Sequence, residues 1–273
     1  MADKSVSLQG NKSVLFTNRQ LVTLMWPLLL EQMLAIAVGL ADSLMVATVG
    51  DAAISAVSLV DSISNLMIYI FSAMATGGAA VAGQYIGLKQ KEDACNAGQQ
   101  LIALLAVVSV SFAALLYLFR PQILTTMFGH IEPDVMDATN TYYLYVMASI
   151  PGIALYNGGA ALFRTMGRSD VSLKVSLLMN GINVTGNAIL IFGVGMDVAG
   201  VAIPTLISRT VAAAVILALL FNKKLMLHLS DVRGFRLNMR LMRNIFYIGV
   251  PSGVENGMFQ LGRLVLFSLI STF

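Results

Sequence analysis

Six charged side chains interrupt long apolar stretches of this chain, and groups of this kind can bind a cation or exchange it for a proton. An ionised side chain at the centre of a membrane costs at least about 2.5 to 3.5 kcal/mol, so a charge retained there usually marks function. The carboxylates among the six are therefore the first candidates for cation binding. The six residues are Glu31, Asp42, Asp61, Arg209, Glu255 and Arg263.

Two of these carboxylates belong to the first apolar stretch. Glu31 and Asp42 are eleven residues apart. In an α-helix this spacing is about three turns, which puts both side chains on one face with roughly 16 Å between them. We expect that face to look into a helix bundle.

Polar side chains recur at helical spacing in three further stretches. Such stripes must face protein or water, and many of them serve only as hydrogen bonds between helices, worth about 0.6 to 2 kcal/mol each. Three stacked amides in the fifth stretch favour a binding role there. The stripes are Ser58, Asp61, Asn65, Tyr69, Ser72 and Thr76 in the second stretch, Ser176, Asn180, Asn183 and Asn187 in the fifth, and Asn256, Gln260 and Arg263 in the seventh.

The elements that carry these residues are long apolar helices. Hydrophobic residues make up 57% of the chain and charged residues only 11%, against roughly 25% charged in a soluble domain. Each apolar stretch reaches the roughly 20 residues that a helix needs to cross a membrane. We predict an all-α, polytopic membrane helix bundle, with spans at about 21–48, 54–86, 99–119, 139–163, 171–195, 198–221 and 245–273.

Basic residues fall on alternate sides of these spans. By the positive-inside rule the N-terminus is cytoplasmic, and we expect a multi-pass protein of the plasma membrane. The net charge of +3 reflects loops that touch an anionic inner leaflet, and we expect no nucleic-acid partner. The cytoplasmic set is Lys4, Lys12, Arg19, Lys89, Lys91, Arg164, Arg168, Lys174, Lys223, Lys224, Arg233, Arg236, Arg240 and Arg243, whereas the opposite loops hold Arg120 alone.

Loop lengths divide the chain into four segments. Residues 1–20 form a cytoplasmic tail, 21–221 a six-helix transmembrane lobe, 222–244 a basic cytoplasmic linker, and 245–273 a seventh helix. Many transporters consist of two such lobes with the substrate path between them. We therefore interpret the seventh helix as the start of a second six-helix lobe of the full-length protein.

Constellations typical of soluble enzymes are nearly absent from the sequence. His130 and His228 both lie in loops, and no GxxxxGK phosphate loop occurs, so we expect neither ATP hydrolysis nor any other enzymatic activity. We expect no cofactor apart from a coupling ion.

Four short stretches, in this order and spacing, resemble the multidrug and toxic compound extrusion (MATE) family. The resemblance covers essentially the whole chain, but only through the first seven helices of that family. The stretches are Leu40-Ala41-Asp42-Ser43, Gly83-Gln84-Tyr85-Ile86-Gly87, Leu162-Phe163-Arg164-Thr165-Met166-Gly167 and Gly249-Val250-Pro251-Ser252-Gly253.

This resemblance implies twelve helices in two lobes and a central cleft open to either side in turn. It also implies export of organic cations driven by inward flow of sodium or protons. The first-helix aspartate of the family falls on Asp42, its fifth-helix amide on Asn183, and a sixth-helix threonine on Thr205. Asn187 stands where one branch of the family has a second aspartate, which favours the branch described as sodium-coupled.

The working hypothesis is a cation-coupled antiporter for small organic cations, with Na⁺ or H⁺ as the coupling ion. The rivals are a lipid-linked oligosaccharide flippase, which needs a more basic cavity than Arg209 and Arg263 provide, and a passive channel or scaffold. The cation-coupling set is Asp42, Asn183, Asn187, Thr205 and Asn157, of which the first three are the candidate Na⁺ ligands. The substrate-cleft set is Glu255, Glu31, Asn180 and Gln260.

Overall fold

The computed structural model describes residues 18–128, 132–229 and 238–270. Inside the first and last helices, the side chains of residues 18–21, 23, 24, 256, 257 and 259–270 lie outside that description. The helices are α1 Asn18–Val49, α2 Asp51–Gly87, α3 Lys91–Leu118, α4 Arg120–Phe128, α5 Pro133–Thr165, α6 Ser169–Ala188 with a π-helical turn Ile189–Gly193, α7 Ala199–Leu220 and α8 Met239–Ile270.

Six of these helices, α1 to α3 and α5 to α7, are long and apolar enough to cross a membrane. This confirms the predicted membrane helix bundle. The sequence did not predict α4, a nine-residue helix whose Pro121 fits the first helical turn, where no backbone donor is needed. The division of the chain into a lobe, a linker and a second lobe stays a prediction.

Helices α2 and α5 form the centre of the bundle. Phe71 of α2 and Tyr143 of α5 are completely buried, and Phe71 packs edge-on against Phe112 of α3 with ring centroids 6.3 Å apart. Helix α1, in contrast, lies at the edge, with Val46 as its one buried hydrophobic residue among those described. Polar contacts with the other helices therefore contribute to holding α1 in position.

Two short turns close the end of the bundle that we predict to be outside. Gly50 joins α1 to α2 with φ 134°, and Gly195 lies between α6 and α7 with φ 73°. Both angles fall in the left-handed region, which glycine adopts without the clash of a Cβ atom. The two turns line one cavity of about 680 Å³.

Helix α8 packs against α2 through glycine. A Cβ atom at Gly77 would lie 2.5 Å from the carbonyl oxygen of Ile245 and 2.7 Å from the Cα of Gly249. Such a backbone-to-backbone approach is how membrane helices gain packing contacts in lipid. Helix α8 thus packs directly against the backbone of α2.

The described residues between α7 and α8 lie against the start of α3. Leu227 is completely buried, and it fills the space above Gly98, where an added Cβ would lie 2.9 Å from the leucine Cδ2. Asn238 donates its backbone N–H to Gln100 Oε1 at 3.2 Å. Helix α8 then begins at Met239, six residues before the predicted seventh span.

Candidate cation site

The central contact of the candidate site joins α1 to the end of α6. Asn187 Nδ2 donates to Asp42 Oδ1 at 2.8 Å. Asn187 is completely buried, and Asp42 is half-buried. A carboxylate on the sparsely buried first helix is thereby held against an amide of the bundle.

Asn183 lies one helical turn before Asn187 and faces the same carboxylate. Two orientations of its amide fit. In one, Nδ2 donates to Thr205 Oγ1 at 3.1 Å, and the amide oxygen faces Asp42. In the other, Nδ2 donates to both carboxylate oxygens of Asp42 at 3.1 and 3.2 Å, and the amide oxygen accepts from Thr205. The second orientation satisfies more donors and acceptors when no cation is bound.

The side-chain oxygen of Asn187 lacks a hydrogen-bond partner among the described residues. A buried acceptor left unpaired costs about 1 to 3 kcal/mol. The cost disappears if a cation takes the oxygen as a ligand. Hard cations prefer carboxylate and carbonyl oxygens, so the donor set of Asp42, Asn187 and Asn183 fits such an ion.

A small cavity of about 170 Å³ lies beside this contact and is lined by Asp42 and by a second carboxylate, Asp61 of α2. Tyr142 of α5 lines the same cavity and donates its hydroxyl to Asp61 Oδ1 at 3.2 Å. The sequence marked Asp61 as a costly intramembrane charge but gave it no role. The signal was present, because Asp61 belongs to the polar stripe of the second span.

Arg209 of α7 reaches toward the same layer of the bundle. Its Nη1 donates to Ser149 Oγ at 2.9 Å and to Ser64 Oγ at 3.5 Å. The ion pairs found within 4 Å in the described part of the chain do not include it. The guanidinium is therefore held by hydroxyl groups rather than by direct contact with a carboxylate.

Glu31 lies in a separate polar cluster. It accepts hydrogen bonds from Tyr156 at 3.1 Å and Ser172 at 3.3 Å. Arg164 Nη1 lies 3.7 Å from the carboxylate of Glu31, whose side chain is 13% exposed. The cluster ties α1 to α5 and α6. The predicted place of Glu31 in a substrate cleft stays a prediction.

The remaining predicted site residues are more scattered. Asn180 donates to Ser176 Oγ at 3.3 Å. Asn157 is half-buried on α5, and the hydrogen bonds described for the chain do not connect it to Asp42. Glu255 is exposed on α8, and the side chain of Gln260 lies outside the described residues.

A bundle of membrane helices that holds a carboxylate beside buried amides is compatible with a lobe of a secondary transporter, in which ion sites lie inside the helix bundle. The MatE family model matches residues 27–189, which is more than half of the chain. The chain therefore belongs to the MATE family, as the resemblance indicated. Members of this family are transporters and not enzymes.

Individual relatives agree with this assignment. The uncharacterized transporter YisQ of Bacillus subtilis is 29% identical over 92% of this chain and 55% of its own length. The probable multidrug resistance protein NorM of Thermotoga maritima is 22% identical over 92% and 54%. The chain thus spans about half the length of the curated relatives it matches.

A solved structure supports the fold. The outward-facing conformation of a multidrug resistance MATE family transporter of the MOP superfamily superimposes with a TM-score of 0.83, at 22% sequence identity. The superposition covers 92% of this chain and 55% of the chain in the solved structure. The likeness concerns the helix arrangement.

Proposed function

We propose that the full-length protein is an antiporter of the plasma membrane that exports organic cations in exchange for an inward-moving cation, and that this lobe binds the coupling cation. The observation that carries the proposal is the buried oxygen of Asn187, unpaired among the described residues, beside the Asp42 carboxylate. Multidrug resistance in the name of a relative supports the substrate class.

The amide of Asn183 offers a simple way for the site to respond to the ion. Without a cation, its N–H group can satisfy the Asp42 carboxylate. With a cation, the reverse orientation presents the amide oxygen toward the ion and leaves Nδ2 on Thr205. Binding then changes the relative stability of the outward-open and inward-open states only to the extent that the ion binds one of them better.

The donor set supports sodium over protons as the coupling ion. A proton needs one carboxylate, and it would leave the oxygen of Asn187 without a partner among the described residues. Na⁺ would use several oxygens at once, and the hydrogen-bonded side chains of Asp42, Asn183, Asn187 and Thr205 carry oxygens that could serve as ligands.

The substrate would occupy a cleft between this lobe and the second one. Glu255 is exposed on α8 and could attract an organic cation by its charge. Glu31, Asn180 and Gln260 complete the proposed cleft set.

The test is efflux of a fluorescent organic cation by the full-length protein in liposomes, under separate sodium and proton gradients. We expect the sodium gradient to drive efflux and Asp42→Asn to abolish it. A matched control is Asp170→Asn, which removes an exposed carboxylate paired with Lys174. Unchanged efflux by Asp42→Asn would remove the ion site, and substrate movement independent of either gradient would indicate a passive channel.

A further inference from the structure

We infer that Asp42, Asp61 and Arg209 form one charge-matched unit that accepts a single monovalent cation, with Arg209 setting the valence. The inference rests on the proposed function, because it specifies how the same site selects its ion. It adds two residues, Asp61 and Arg209, to a site that the sequence placed on Asp42 and the α6 amides.

The first observation is that two carboxylates from different helices share one small cavity. Asp42 and Asp61 both line the space of about 170 Å³ between α1, α2 and α5. The one hydrogen bond described for Asp61 is the donation from Tyr142 to Oδ1, and Asp61 itself lines the cavity. An ion beside Asp42 is therefore exposed to the charge of both groups.

The second observation is that Arg209 lies about one helical turn beyond the Asp61–Tyr142 contact, farther from the predicted outer end of the bundle. Arg209 donates to Ser64, which is three residues after Asp61 on α2, and to Ser149, which is seven residues after Tyr142 on α5. Three and seven residues are about one and two turns of one helix face. The guanidinium thus lies in the same α2–α5 interface as the Asp61–Tyr142 contact. It is within electrostatic range of the carboxylates of Asp42 and Asp61.

The contrast with Glu31 shows why this separation matters. Glu31 is neutralised directly by Arg164 at 3.7 Å, so its carboxylate is already occupied. Arg209 is held away by serine hydroxyls and offsets negative charge without covering the carboxylate oxygens. The carboxylate oxygens of Asp42 and Asp61 stay available as ligands, while Arg209 offsets one of their two negative charges.

Charge balance then selects the ion. Two ionised carboxylates and one guanidinium leave one net negative charge. An uncompensated charge is expensive in a poorly hydrated interior. One monovalent cation therefore brings the net charge of the unit to zero, whereas a divalent cation leaves one net positive charge. Without Arg209 the unit would carry two negative charges and would match a divalent cation.

The experiment measures equilibrium binding of radioactive sodium to the purified full-length protein, with Ca²⁺ as the competitor. Asp61→Asn should weaken sodium binding about tenfold or more, since a charge within a few ångströms contributes about 1 kcal/mol or more. Arg209→Gln should let Ca²⁺ displace sodium at about tenfold lower concentration. The double variant Asp61→Asn/Arg209→Gln restores one net negative charge and should bind sodium about tenfold better than Asp61→Asn alone.

The outcomes are separable from those of the proposed function. Loss of sodium binding in Asp42→Asn, together with unchanged affinity and valence in the Asp61 and Arg209 variants, would overturn the charge-matched unit but keep the ion site. Sodium binding retained in Asp42→Asn would overturn the ion site itself. A double variant weaker than Asp61→Asn would show that the two residues act through packing and would also overturn the inference.

Each variant is first checked for a monodisperse elution profile. If Arg209→Gln does not give folded protein, the test rests on Asp61→Asn. Sodium binding by Asp61→Asn as strong as that of the parent protein then overturns the inference. Asp170→Asn is the charge-matched control and should bind sodium and reject Ca²⁺ as the parent protein does.

Discussion

Asn187 donates one hydrogen to Asp42 at 2.8 Å, while its own oxygen is buried without a partner in the described part of the chain. The described residues therefore bind the nitrogen of this amide but not its oxygen. The contact joins the first helix to the sixth, so an ion that binds there would act on the relation between two helices rather than on one side chain.

The first prediction concerns the choice of coupling ion. Asn187→Asp places a second carboxylate within hydrogen-bonding distance of Asp42, and two carboxylates that close tend to share a proton. We expect this variant to gain efflux driven by a proton gradient in liposomes without sodium. Asn222→Asp is the control, because it makes the same change at an exposed position between α7 and α8.

If Asn187→Asp stays strictly dependent on sodium, the amide is not what selects the ion. An equal gain in Asn222→Asp would indicate a general effect of added charge.

The second prediction concerns the contact between α2 and α8. Gly77→Ala introduces a Cβ atom 2.5 Å from the carbonyl oxygen of Ile245. Overpacking of this kind typically costs about 1 to 3 kcal/mol, so the thermal unfolding midpoint of the purified protein should fall. Gly181→Ala is the control, since nothing lies within 4 Å of its added Cβ, and this change should be neutral or slightly stabilising.

An unchanged unfolding midpoint for Gly77→Ala would mean that α8 does not approach α2 as closely as the structure indicates. Measuring efflux on the same samples separates lost stability from lost transport.

The third prediction separates two roles for Glu31. Glu31→Leu removes the carboxylate that accepts hydrogen bonds from Tyr156 and Ser172, and a hydrogen bond to a charged group contributes about 1.5 to 3 kcal/mol. We expect a lower unfolding midpoint with sodium affinity retained. The neighbouring exposed residue Gln32 provides the control variant Gln32→Leu.

A structural role leaves the apparent KM for the organic cation unchanged. A raised KM with normal stability would instead place Glu31 in the substrate cleft, as the sequence hypothesis has it.

The class of fold was predictable because it depends on quantities that one sequence contains. Apolar runs of sufficient length predicted the six long apolar helices that the described residues contain. The orientation, which rests on the alternation of basic loops, stays a prediction. The proximity of Asp42 to Asn183 and Asn187 was also expected, through the family resemblance and the amide stripe.

Pairings between helices could not be predicted in the same way. The partners of Arg209 are Ser149 and Ser64, on two other helices, and their selection depends on the rotation and depth of each helix. The pairing of Glu31 with Arg164 was missed for a related reason, because α5 continues to Thr165 and brings a residue assigned to a loop back toward the bundle.

The start of the last helix was missed because hydropathy marks the membrane boundary rather than the helix boundary. Helix α8 already begins at Met239 and includes Arg240 and Arg243, which a search for apolar residues excludes. The role of the site residues as ligands stays a prediction, since it concerns an ion and not the chain alone.

The turn at Gly50 lies only eight residues beyond Asp42 along α1. At 1.5 Å per residue this is about 12 Å, somewhat over a third of a hydrocarbon layer about 30 Å thick. An ion arriving from the predicted outer face would cross that fraction of the electric field, worth about 0.9 kcal/mol at 100 mV. Membrane voltage would therefore act weakly on loading of the site and more strongly on the step that carries the ion onward.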